Sequence, residues 1–118
     1  ALAPRAELVE ATGNPEAGGM CGTTLSSDGS IVVGRIALAE ELAEESAVRE
    51  QLIRHETGHC IGLLDHATDD YPQSLVHPNG PDVLDALAEV DVLAIETLYD
   101  PRLRSGMARA EVLAALGW

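Results

Sequence analysis

The sequence contains no phenylalanine and no lysine, and its only large aromatic rings are two tyrosines and one tryptophan. With so few rings, a core has to be built from leucine, valine, isoleucine and alanine. Without lysine, the basic side chains are seven arginines, set against 20 acidic residues for a formal charge of −13. Such a chain has no basic stripe to displace counterions from phosphates, so nucleic acid is excluded as an expected partner and anionic membrane surfaces repel it. Long apolar runs are lacking too. None approaches the roughly 18–20 residues that cross a bilayer, so no membrane span is expected. Cysteine is limited to Cys21 and Cys60. A disulfide between them would close a loop of about forty residues, worth a few kcal/mol; two buried free thiols are the alternative.

What is present is an ordinary globular composition. Hydrophobic residues make up 46% of 118 positions, enough for one core and one domain spanning residues 1–118. The first residue is Ala1, as expected of a processed, trimmed or partial chain.

Local signals place most elements. Ala6 to Ala11 reads as a short helix or strand, and Thr12-Gly13-Asn14-Pro15 as a turn. Ser30 to Leu38 (SIVVGRIAL) is rich in β-branched residues and follows Asp28-Gly29, which predicts a hairpin over residues 23–38 with a brief strand from Gly22 to Leu25. Glu40 to Glu45 is acidic, a helical turn or loop. Ser46 is the expected N-cap of a helix whose stripe runs Val48, Leu52, His55, His59 and which stops at Gly62. Residues 65–82 carry Pro72 and Pro78-Asn79-Gly80-Pro81 and no helical period, so a loop is expected. Val90, Leu93, Ala94 and Leu98 mark a helix to about Tyr99, stopped before Pro101. A last helix spans Met107 to Leu116.

All four histidines lie between positions 55 and 77. Residues four apart on a helix stand one above the other, so His55 and His59 can present nitrogens to one cation. Glu56 would lie beside the open coordination position, where it can hydrogen-bond a water and accept its proton. Gly62 would turn the chain back toward the metal, so that the third ligand falls at Asp65 or His66.

The string His55-Glu56-Thr57-Gly58-His59-Cys60-Ile61-Gly62-Leu63-Leu64-Asp65 resembles the extended zinc signature of the metzincin peptidases, His-Glu-x-x-His-x-x-Gly-x-x-His/Asp. An aspartate in the last place is similar to the small bacterial neutral proteases of the snapalysin type. That resemblance implies zinc held by His55, His59 and Asp65, with His66 the alternative displaced by one residue, and Glu56 as the catalytic base. Gln73-Ser74-Leu75-Val76-His77-Pro78 resembles the methionine turn beneath the metzincin metal, with Val76 in place of the methionine. Ala94 to Met107 (AIETLYDPRLRSGM) resembles a stretch shared by an uncharacterised exported family of alphaproteobacterial proteins, which implies a secreted or periplasmic location. The upstream region is shorter than a metzincin catalytic domain usually has, so the N-terminal part is expected to be short or truncated.

Together these readings predict an α+β fold, a small and partly antiparallel sheet packed on the motif helix, then a loop and two C-terminal helices. The expected function is zinc-dependent hydrolysis of peptide bonds in a peptide or protein substrate, the substrate pairing as an extended strand with residues 31–38. A non-catalytic zinc-stabilised module is the alternative, and a zinc hydrolase acting on a non-peptide amide is a third reading. Tyr71 and Tyr99 are candidate proton donors, with core packing the preferred role for Tyr99. His77 is either a substrate-pocket group or a loop histidine. Arg102 and Arg104 are expected to pair with nearby acids.

Overall fold

The structure, a computed structural model, describes residues 1–78 and 87–118; most of the Pro78-Asn79-Gly80-Pro81 turn and the end of the 65–82 loop lie outside the described residues. Along the chain run β1 (Leu2–Ala3), α1 (Arg5–Thr12), β2 (Gly19–Leu25), β3 (Ile31–Ala39), α2 (Glu40–Ala43), α3 (Ser46–Cys60), α4 (Glu89–Leu98) and α5 (Arg109–Leu116). The fold is α+β, with a mixed sheet in the order β1-β3-β2.

The β-branched run 31–39 takes the centre of that sheet. It folds back on β2 through the expected turn at Asp28-Gly29, with Cys21 opposite Ile36 and Thr24 opposite Val33. Asp28 stabilises this turn by accepting hydrogen bonds from the Ser30 N–H at 2.9 Å and from the Ser26 hydroxyl. On the other side, β1 adds two residues in parallel, Leu2 to Leu38 and Ala3 to Ala39.

The ambiguous segment at residues 6–11 is helical, because α1 buries Leu8 against Ala17 and Ala39 to make a small core. Met20, Ala37 and Leu42 pack around it. Small and aliphatic side chains thus do the work that rings do in most cores. The acidic segment 40–45 begins as the one-turn helix α2 and leads directly into α3.

Helix α3 starts one residue earlier than the N-cap expectation. Glu45, not Ser46, is the flanking residue, since its carbonyl accepts the first helical bond from the Arg49 N–H at 2.9 Å. The helix lies along β2 and β3 and is tied to β2 by the Cys21–Cys60 disulfide. Among the described residues no helix is long and apolar enough to cross a membrane.

Because 39 residues separate the bonded cysteines, cutting this link releases a long loop in the unfolded chain. Replacing both by alanine is expected to lower the unfolding free energy by about 2–4 kcal/mol, read from denaturant unfolding. An unchanged midpoint would show that other contacts already hold β2 on the helix.

Candidate metal centre

The last turns of α3 carry the histidines, and the way the helix ends decides what joins them. Its closing bonds run from the Ile61 N–H to the Thr57 carbonyl (3.1 Å), Gly62 to His59 (3.1 Å) and Leu63 to Gly58 (3.0 Å). Gly62 sits at φ +116°, a conformation that side chains with a Cβ avoid. This reversal brings the Leu63 carbonyl to 2.6 Å from His59 Nδ1. Leu64 and Asp65 are exposed, and the chain then returns at His66.

His55 Nε2 lies 3.1 Å from His59 Nε2 and 3.2 Å from His66 Nε2. Ligand nitrogens of all three residues lie within 4.8 Å of one another. Asp65, the favoured third ligand, stands outside this group. The displaced alternative, His66, completes it, with its Nε2 3.2 Å from that of His55.

The ring tautomers follow from their partners. His55 Nδ1 faces the Leu75 carbonyl at 2.9 Å and His59 Nδ1 faces that of Leu63. A carbonyl only accepts, so both Nδ1 atoms carry the proton and both Nε2 atoms turn lone pairs toward each other. Two lone pairs at this separation repel unless a cation lies between them. A tetrahedral ion with metal–nitrogen bonds of about 2.0–2.1 Å spaces its ligands roughly 3.3 Å apart, close to the two contacts that His55 makes. The donor set therefore fits a divalent metal.

Beneath the histidines lies the segment Ser74-Leu75-Val76-His77, every residue of it buried. It packs on α3 at Gly58, where a Cβ would come within 2.2 Å of Leu75 Cδ1 and 2.8 Å of Val76 Cγ1. Only glycine lets the turn come this close. Val76 accordingly supports the motif helix from below, and Leu75 supplies the carbonyl that orients His55.

Glu56 is buried at 5% exposure and packs over Gly19 of β2, where the lack of a side chain leaves it room. Burial pushes its pKa up, while His59 and the Cys21 N–H pull the other way. For His55, burial is also the main effect and, with His59 beside it, takes the pKa down to about 4 against the carbonyl of Leu75. Burial lowers His66 as well. A ring that resists protonation keeps its lone pair for a metal. Glu56 and the three histidines all border a cleft of about 770 Å³, which residues of β2 and Pro78 also line.

Other candidates fall elsewhere. His77 is buried with its Nε2 3.0 Å from Asp69 Oδ1. Tyr99 is not a core residue: its ring is exposed, and its hydroxyl donates at 2.6 Å to the Ile61 carbonyl just past the end of α3. That carbonyl has no helical partner, which explains why the tyrosine is drawn there. Tyr71 is half exposed. Arg102 forms the expected pair, a two-point contact with Asp100 at 2.9 and 3.0 Å.

One buried group has no signal in the sequence. Asp91 of α4, 3% exposed, accepts hydrogen bonds from the Ser74 hydroxyl (2.6 Å) and the Leu75 N–H (2.8 Å). In a helical pattern it reads as one more surface acid.

Compared with known protein families, curated proteins and solved structures, the chain matches none of them.

Two outcomes follow from this geometry. Gly58→Ala is expected to destabilise the protein by about 1–3 kcal/mol through overpacking against Leu75 and Val76, measured by thermal unfolding; an unchanged melting temperature would mean that the turn yields freely. The second concerns pH in the metal-free protein. His55 has an ordinary pKa of 6.5 when unfolded and about 4 when folded, so between those values the unfolded chain binds more protons. Stability is therefore lost as the pH falls from 6.5 toward about 4. Glu56, raised above its ordinary 4.5, acts in the opposite sense. Unfolding curves recorded with a chelator should show the acid-side loss reduced in His55→Asn, and an equal loss in both proteins would remove His55 as its source.

Proposed function

We propose that this chain is a zinc-dependent metallopeptidase of metzincin type whose third metal ligand is displaced by one residue. The observation that carries the reading is the convergence of three histidine rings, with His55 Nε2 3.1 Å from His59 Nε2 and 3.2 Å from His66 Nε2 and ligand nitrogens of all three within 4.8 Å of one another. Three imidazoles favour zinc among the common divalent ions, and they leave a fourth position for water or substrate. Zinc bound there would polarise a scissile carbonyl and bring the pKa of a water to about 7.

The chain's own residues supply the rest. Glu56 borders the same cleft, and a buried carboxylate with a raised pKa is suited to take a proton from attacking water and pass it to the leaving amine. An extended peptide is placed by a strand edge, and here the strand differs from the expectation. Residues 31–38 lie in the centre of the sheet, whereas β2 is the edge strand bordering the cleft through Gly19, Met20 and Cys21. The substrate would accordingly pair with β2.

The three-ligand count and the open cleft favour catalysis over a closed structural site, which takes four protein ligands. The Cys21–Cys60 disulfide, which persists in oxidising compartments, supports an exported protein.

The test begins with zinc binding. Wild type and Asp65→Ala are expected to hold one zinc per chain, and His66→Ala to lose most of its affinity, by calorimetry. At equal zinc occupancy, Glu56→Ala should cut cleavage of a diverse peptide mixture by about 10²–10⁴-fold. Zinc retained by His66→Ala but not by Asp65→Ala would restore Asp65 as the ligand. One tightly held zinc with no cleavage, and unfolding on its removal, would support the structural module instead.

A further inference from the structure

We infer that Asp91, on helix α4, is a positioning residue of the metal centre, acting through the backbone of Leu75 on the tautomer and direction of the His55 ring. The inference rests on the metal reading above and goes beyond it, because the hydrogen bonds of Asp91 go to Ser74 and Leu75 and it does not line the cleft of Glu56.

The connection is a short relay. Asp91 Oδ2 accepts from the Leu75 N–H at 2.8 Å, and Oδ1 from the Ser74 hydroxyl at 2.6 Å. The Ser74 oxygen in turn accepts from the Val76 N–H at 3.3 Å. These bonds hold the donors of three consecutive residues in a turn that has no strand partner. The Leu75 carbonyl is thereby aimed at His55 Nδ1, 2.9 Å away, so that Nδ1 keeps the proton and Nε2 offers its lone pair to the centre.

Burial makes the relay consequential. Asp91 is 3% exposed and Ser74 1%, so water cannot readily replace a missing acceptor, and the freed donors would have to seek partners by moving the turn. The turn lies against Gly58 with no slack, and its displacement would carry the Leu75 carbonyl off the ring. A purely structural aspartate would pin α4 to the turn without affecting the imidazole.

Asp91→Asn keeps the shape but replaces one carboxylate oxygen by an NH₂ group, which cannot accept. Two measurements on the full chain test the role. In metal-free protein, ¹⁵N NMR of the His55 ring should show Nδ1–H as the single tautomer in wild type and a mixture in Asp91→Asn. In the presence of zinc, Asp91→Asn is expected to bind about 10–100-fold more weakly. Ile95→Ala, a truncation on the same helix, should lower the melting temperature while leaving zinc affinity and the His55 tautomer unchanged. Should Asp91→Asn fail to fold, Ser74→Ala removes the two bonds made by the Ser74 hydroxyl and carries the same comparison.

An unchanged tautomer with wild-type zinc affinity in a folded Asp91→Asn would overturn the inference, as would an equal loss of affinity in Ile95→Ala. If wild type binds no zinc, the metal reading fails, and the tautomer in metal-free protein still decides whether Asp91 orients His55.

Discussion

The contact on which this structure turns is the meeting of helix α3 with the buried segment 74–77 at Gly58. A methyl group there would come within 2.2 Å of a leucine carbon, so the helix and the turn touch backbone to side chain. Two features depend on that closeness. The Leu75 carbonyl comes within hydrogen-bonding distance of His55 Nδ1, which sets the tautomer. The Val76 side chain packs closely against the motif helix at the same glycine. Move the turn outward by the width of a methyl, and both would be lost together.

The opposite side of the helix is held by different means. β2 approaches α3 closely enough for a disulfide at Cys60, one residue after His59, and for Glu56 to pack over Gly19. A chain with almost no aromatic rings buries little area per side chain, and its central cluster is Leu8, Ala17 and Ala39. Such a core is a weak clamp. Covalent attachment of the edge strand beside the carboxylate substitutes for the packing that larger side chains would provide.

How much of this was readable beforehand divides along a physical line. The hairpin, the motif helix and the two C-terminal helices are encoded locally, in a β-branched run after Asp-Gly and in stripes at helical spacing. His55, Glu56 and His59 are likewise local, since a helix fixes their geometry. The third nitrogen is not. Whether Asp65 or His66 returns to the centre depends on how many residues the chain spends after the reversal at Gly62, and spacing alone does not tell a tight return from a looser one. Asp91 and Tyr99 were illegible for a further reason. Each answers an unpaired backbone group in a distant segment, the Leu75 N–H in one case and the Ile61 carbonyl in the other. Helical periodicity describes the element on which a residue sits, and says nothing about the donors and acceptors that another element leaves open.

The electrostatics of the centre then follow from one environment acting on opposite kinds of group. Burial drives His55 down to about 4 and Glu56 up, so both are pushed toward their neutral forms. For His55 this keeps Nε2 free of a proton, at the expense of holding its lone pair close to the neighbouring rings. For the carboxylate it means a proton held more readily than in water. A dication placed among the nitrogens would relieve the first problem directly, and its field at the buried carboxylate would pull Glu56 back toward the ionised state. The two groups are thus mismatched alone and matched around a positive charge. A scaffold that keeps them so must hold the rings rigidly while no ion is present, which is what the Leu75 and Leu63 carbonyls do for His55 and His59.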